Sequence, residues 1–225
     1  MPNSVKLLLL VLGVRIGFAL APAAWAQATP PESASISGLV GHPQTYRLSC
    51  ESRSAADWAA FWGVPISETE FFDRLPQSDN PEVGFVGNVH GPWGHLPPEG
   101  YGVHAAPVAT LLREYGLAAE ARYGLAWSDL QAEIAAGRPA IVWIVGRIWA
   151  GAPESYLAQD GSVVTVARYE HTMILVGYDA TTVTLVDAAD GRTHTYRLAD
   201  FLTSWAVLGN MAVVGNGPSP AATPS

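Results

Sequence analysis

Six consecutive apolar residues, Ala140 to Val145 (AIVWIV), constrain this chain more than any other segment. A half-exposed strand alternates apolar and polar side chains, whereas an unbroken apolar run must be covered on both faces. The run therefore predicts an interior strand between two packed layers. Its two flanks differ. Upstream, the pattern and the stop signals are helical. Downstream, Thr172 to Tyr178, Thr182 to Val186 and Thr193 to Leu198 read as strands, with turn residues at Asp179–Ala180 and at Ala189 to Gly191. Met211 to Val214 is placed to close the sheet. Helices first and antiparallel strands afterwards predict an α+β domain built in two halves.

The helices have recognisable ends. One runs from Ser49–Cys50 to Phe61, with Gly63 as its stop and Pro65 behind it. Ser67 and Glu70 form a capping box for a short helix through Arg74. Ala105 to Tyr115 is helical and stops at Gly116. Ser128 and Gln131 form a second capping box, and that helix ends at Gly137 before Pro139. Between them, Asn80 to Tyr101 is Gly/Pro-rich. It reads as a long ordered loop, which in a compact domain is ordinarily functional.

The chain of 225 residues is 49% hydrophobic and 14% charged, enough apolar surface for one sizeable core. Residues 1–26 read as a secretory signal. Lys6 supplies the positive end, Leu7 to Val14 and Ile16 to Leu20 the apolar region broken by Arg15, and Ala24-Trp25-Ala26 the cleavage pattern. This predicts a periplasmic or extracellular mature protein, and no later segment is long and apolar enough to span a membrane. Removing Lys6 and Arg15 leaves ten basic residues against twenty acidic ones, a net charge of −10. That balance excludes a nucleic-acid partner, which needs a basic face. Residues 27–38 (QATPPESASISG) and 215–225 (GNGPSPAATPS) are predicted to be a disordered linker and tail, leaving a folded domain over 39–214.

Cys50 is the one cysteine, so an internal disulfide and a multi-cysteine metal site are both excluded. It opens a helix, where free N–H groups and the positive helix end favour thiolate, the form that attacks carbon. A small buried hydrophobe is the plainer alternative. Gln44 lies six residues upstream, and its amide beside the Cys50 N–H would make a two-donor oxyanion hole. Of six histidines, only His171 heads an apolar strand that leads through a tight turn to a strand ending in an acid, Asp187. Centring that turn on Asp179 pairs His171 directly with Asp187, side chains on one face and Cβ atoms about 5 Å apart. A two-residue turn at Asp179–Ala180 would break this pairing. Cys50, His171 and Asp187 are thus candidate nucleophile, base and orienter, with Gln44 as oxyanion donor; their order alone does not identify a substrate.

His90, His95 and His104 are possible zinc ligands, but no carboxylate or cysteine cluster completes a set, so neither metal nor cofactor is expected. Their loop reads instead as a wall of the substrate cleft. Asp79 and Glu99 read as solvated or turn-capping, with the option of selecting a basic substrate side chain. Trp58 and Trp62 read as core, and Trp149 as a cleft edge.

Gln-x5-Cys at a helix start, followed by His and Asp on adjacent strands, resembles the papain-like cysteine peptidases. More narrowly, the chain resembles the peptidase C-39-like group, relatives of the bacteriocin double-glycine leader peptidases. The matching stretches are LSCES (Leu48 to Ser52), SDNPEVGFVG (Ser78 to Gly87), PPEGYGV (Pro97 to Val103), GRPAIVWI (Gly137 to Ile144) and HTMILVGYD (His171 to Asp179). The resemblance implies a papain-like fold with Cys50 as nucleophile, His171 as base, Asp187 as orienter and Gln44 in the oxyanion hole. It departs in two places. Relatives often have Asp-Pro where this chain has Asp187–Ala188, and the bacteriocin peptidases are fused to a transporter and work on the cytoplasmic side. The expected function is an exported cysteine peptidase acting on peptide or isopeptide bonds of a peptide or protein substrate. The alternatives are release of the same thioester to an amine, or an inactive surface module that binds peptide.

Overall fold

The computed structural model describes residues 29–218, so the proposed signal segment and the end of the tail lie outside the described residues. In chain order the elements are β1 (Ala34–Ser35), α1 (Cys50–Phe61), α2 (Glu68–Arg74), α3 (Ala105–Glu114), β2 (Leu117–Arg122), α4 (Trp127–Ala135) and β3 (Ala140–Val145). There follow β4 (Glu154–Leu157), β5 (Val163–Val166), β6 (Glu170–Tyr178), β7 (Thr182–Asp187), β8 (Thr193–Arg197), α5 (Leu198–Ala206) and β9 (Ala212–Pro218). The sheet order is β2-β9-β3-β6-β7-β8, with β1 added to β6 and with β4–β5 forming a separate hairpin. The architecture is α+β.

β3 is buried along its whole length, as its sequence requires. Its alternate residues serve two cores. Ile141, Trp143 and Val145 pack with the layer of α1 and α3, while Ala140, Val142 and Ile144 pack with α4 and α5. Buried indoles must find acceptors, and here they tie the layers to the sheet. Trp58 Nε1 donates to the Pro139 carbonyl at 2.7 Å, and Trp143 Nε1 to the Val103 carbonyl at 2.9 Å. Ser54 on α1 meets Thr172 on β6 at 3.0 Å. The head of α1 is therefore fixed against the start of β6, where the candidate residues lie.

Several expectations need correction. α4 begins at Trp127, and the Asp129 carboxylate accepts the Ala126 N–H at 2.8 Å. An acid three residues into the helix takes the back-reaching half of the box, so Ser128 sits inside the first turn. The segment 27–38 is not linker throughout. Ala34–Ser35 pairs with Tyr178 and Gly177, and the Ile36 N–H donates to the Val176 carbonyl at 2.7 Å. β6 extends past the start of β3, and β1 satisfies the backbone left open there. The tail likewise begins as sheet, since β9 pairs with β2 as far as Pro218. The strands β2, β4 and β5 and the helix α5 were not foreseen.

The β6–β7 register also differs from the one predicted. Asp187 faces Met173 instead of His171, and the register shifts between Leu175 and Gly177. The Asp179 carboxylate accepts N–H bonds from Thr181 and Thr182, both at 2.7 Å, which moves the turn beyond Asp179. A bulge then takes up one residue. His171 keeps the parity of Met173, so it remains on the Asp187 side as a diagonal neighbour within side-chain reach.

Candidate active site

Cys50 is the first residue of α1 and lies against β6. The helix cap leaves its neighbourhood open, because the Ser49 side chain makes no bond to the free N–H groups of the first turn. The Ser49 hydroxyl donates to Glu68 instead. Free N–H groups at this end are donors for a developing oxyanion.

His171 and Asp187 meet directly. His171 Nε2 lies 2.7 Å from Asp187 Oδ1, and an ionised carboxylate only accepts, so Nε2 carries the hydrogen. Nδ1 is then the free, basic nitrogen. Asp187 is fully buried, and its Oδ1 also accepts the Ala189 N–H at 2.8 Å. Arg147 Nε stands 3.2 Å from its other oxygen, near enough for an ion pair though not aligned as a hydrogen bond. Burial opposes ionisation of Asp187, but the His171 bond and charge, the Ala189 N–H and Arg147 together outweigh it. Its pKa is held below the ordinary 3.8. Trp93 covers the imidazole at 6.1 Å between ring centres.

These groups open onto one cavity of about 250 Å3, lined by Gln44, Leu48, Cys50, Trp93, Tyr101 and His171 among others. Gln44 is anchored there by its N–H to the Ala188 carbonyl at 2.8 Å. Its side chain has another task than the one expected. Both amide hydrogens are given to backbone carbonyls, of Tyr46 at 2.8 Å and Arg47 at 2.9 Å, while Oε1 is buried without a partner. The turn that feeds α1 needs donors for these carbonyls, and Gln44 supplies them.

The thiol departs most from expectation. A helix N-terminus was expected to depress its pKa. Instead burial, then Glu51, then Glu170 push the Cys50 thiol well above its ordinary value, with bonds from Thr172 opposing. Burial is the largest cause, and two residues that sequence reasoning missed add to it. Glu51 reads as an ordinary first-turn acid and Glu170 as a polar strand start, and nothing in the linear pattern says that they converge.

The loop histidines are separate. His104 is buried, bridging Glu82 at 2.6 Å and Tyr101 at 3.0 Å, whereas His95 pairs with Glu99 on the surface. Asp79 accepts from the Tyr156 hydroxyl and the Gln159 N–H and so holds the β4–β5 hairpin. Trp149 is exposed and joins Trp93 and Tyr169 in an aromatic cluster.

Residues 37–213 match the model of the Peptidase_C39 like family. No curated protein matches this chain. Among solved structures, the chain is similar to a C39-like peptidase from Bacillus anthracis, at 21% identity and a TM-score of 0.75 over 84% of this chain and 100% of that one. It is also similar to xylellain, a cysteine protease from Xylella fastidiosa, at 14% identity and a TM-score of 0.50 over 85% and 88%. These likenesses give the fold, which is papain-like.

Proposed function

This chain belongs to the Peptidase_C39 like family and is a cysteine-type peptidase; we propose that it hydrolyses peptide or isopeptide bonds through a Cys50/His171/Asp187 triad and an acyl-enzyme thioester, and, from the signal pattern of residues 1–26, that it is exported. The observation that carries this reading is the 2.7 Å His171–Asp187 bond opening onto the same cavity as Cys50.

Cys50 rests as a thiol, so its proton passes to His171 Nδ1 as sulfur attacks the carbonyl carbon. The tetrahedral oxyanion takes the Cys50 N–H at the uncapped helix end. Gln44 adds a second bond only by releasing one of its two carbonyls. The intermediate collapses as His171 protonates the leaving amine. Water then attacks the thioester, His171 takes its proton, and the acid product leaves with the thiol restored. Asp187 fixes the tautomer and stabilises the imidazolium throughout. Residues 1–26 direct export, and a lone thiol in an oxidising compartment has no internal partner with which to form a disulfide.

The test is a peptide-library cleavage profile of the chain from Gln27 onward beside Cys50→Ala. The reading requires cleavage by the first and none by the second. Equal cleavage, or none by either, would sink it.

A further inference from the structure

Cys50 has two acidic neighbours that the triad does not use. Glu51 follows it in α1 and Glu170 precedes His171 in β6; they are 1% and 3% exposed. Sγ and one oxygen of each carboxylate all lie within 4.8 Å of one another. The Cys50 S–H donates to Glu51 Oε2 at 3.3 Å, and Glu51 Oε1 accepts the Val103 N–H at 2.6 Å. Both Glu170 oxygens are sealed from solvent with no hydrogen-bond partner. Gly102 leaves just enough room for the pair. A Cβ there would stand 2.2 Å from Glu51 Oε1 and 2.8 Å from Glu170 Oε2.

The other titratable groups facing this cluster are Tyr101, from the loop before α3, and His171, from β6. Arg47 and Arg147 stand around the adjoining cavity. Among the described residues no basic side chain contributes to stabilising either carboxylate. Like charges packed this closely cannot all be ionised.

We propose that Glu51 and Glu170 are positioning residues for the nucleophile: both hold protons in the active enzyme, and ionised Glu51 keeps Cys50 as a thiol. When Glu51 is neutral, the Cys50 proton is free to pass to His171 on attack. When Glu51 is a carboxylate, it holds that proton on sulfur and opposes the developing thiolate. The electrostatics agree. Burial lifts Glu51 from 4.5 to about 7. Burial, and then the Glu51 charge, lift Glu170 well above 4.5. The peptidase is therefore favoured on the acid side of neutrality.

The inference rests on Cys50 as nucleophile but not on any substrate, so it is tested by iodoacetamide alkylation of the chain from Gln27 onward. Wild type is compared with Glu51→Gln and Glu170→Gln. The first substitution keeps an acceptor for the Val103 N–H but leaves a side chain that cannot ionise. The expected Glu51→Gln rate is within about threefold of wild type at pH 5.5 and at least about tenfold higher at pH 8, one unit of thiol pKa being tenfold. In Glu170→Gln an amide donor favours the Glu51 carboxylate, so the break in the wild-type profile moves to lower pH. A purely structural role would give the same rate ratio at both pH values and leave the break in place, and either result overturns the proposal. If Glu51→Gln does not fold, the position of the Glu170→Gln break decides alone. Failure of peptide cleavage with this alkylation pattern intact would instead count against the peptidase reading.

Discussion

Replacing Asp187 with asparagine removes one charge and almost no volume at a fully buried position. In the native site Oδ1 accepts both His171 Nε2–H, at 2.7 Å, and the Ala189 N–H, at 2.8 Å. The substituted amide keeps the second acceptor bond through its carbonyl. Because one oxygen accepts both bonds, the carbonyl in that place still takes the His171 hydrogen, but as a neutral acceptor, while the NH2 stands in place of Oδ2 beside Arg147. The bond therefore loses its charge assistance and the imidazolium its counter-charge. A charge-assisted bond of this kind is worth roughly 1.5–3 kcal/mol. The lost attraction for the transient imidazolium reaches about 4 kcal/mol near 4 Å at an effective dielectric of about 20. These overlap, so the barrier rises by about 2–4 kcal/mol, roughly a 30- to 1000-fold loss in kcat/KM. The measurement is kcat/KM on the best library peptide, with the thermal midpoint read beside it. A loss below about threefold in a folded variant would refute the argument, since His171 would then need no orienting carboxylate.

Three other outcomes follow from the same geometry. Gly102→Ala places a Cβ into the carboxyl pair, at a φ of +137° that side chains rarely adopt, and should cost at least about 2 kcal/mol in denaturant unfolding. Glu51, raised from 4.5 to about 7, binds more protons folded than unfolded between those values, so stability falls by about 3 kcal/mol as pH rises through that window. Asp187, depressed, acts oppositely and withdraws its contribution only as pH falls below 3.8; melting curves from pH 3 to 8 should therefore peak near pH 4–5, and Glu51→Gln should shrink the decline above the peak without abolishing it, since Glu170, lifted first by its own burial, keeps its share. Arg47 is exposed, makes no ion pair among the described residues, and shares with His90 a second cavity of about 540 Å3 beside the first. Peptides with Asp or Glu near the scissile bond should be cleaved faster than their Lys counterparts, Arg47→Glu should invert that order, and an unchanged order would remove Arg47 from substrate selection.

What the sequence disclosed is what local physics encodes. AIVWIV had to be an interior strand because both of its faces are apolar, and Gly63, Gly116 and Gly137 had to end helices because each adopts a positive φ that Gly alone takes without cost. The same logic found a hydrophobic strand headed by His171 and another ended by Asp187. It missed their register, because a bulge and an Asx turn move a hairpin by whole residues while leaving the apolar alternation intact. It missed β1 because two paired residues need no hydrophobic pattern, only an open stretch of β6. Glu51 and Glu170 mark the deeper limit. Each is unremarked in its own segment, and Glu170 meets the Cys50–Glu51 pair only when α1 is packed on the sheet, held there by the Ser54–Thr172 bond to β6 and the Trp58 bond to the Pro139 carbonyl ahead of β3. A thiol at a helix N-terminus is pulled toward ionisation by a partial charge of about half a unit. Burial opposes it first, and the Glu51 carboxyl group, close to the sulfur, adds up to one full charge when it ionises. The through-space effect therefore dominates the local one, and the rule that marks Cys50 as a nucleophile does not by itself fix the pH at which it attacks.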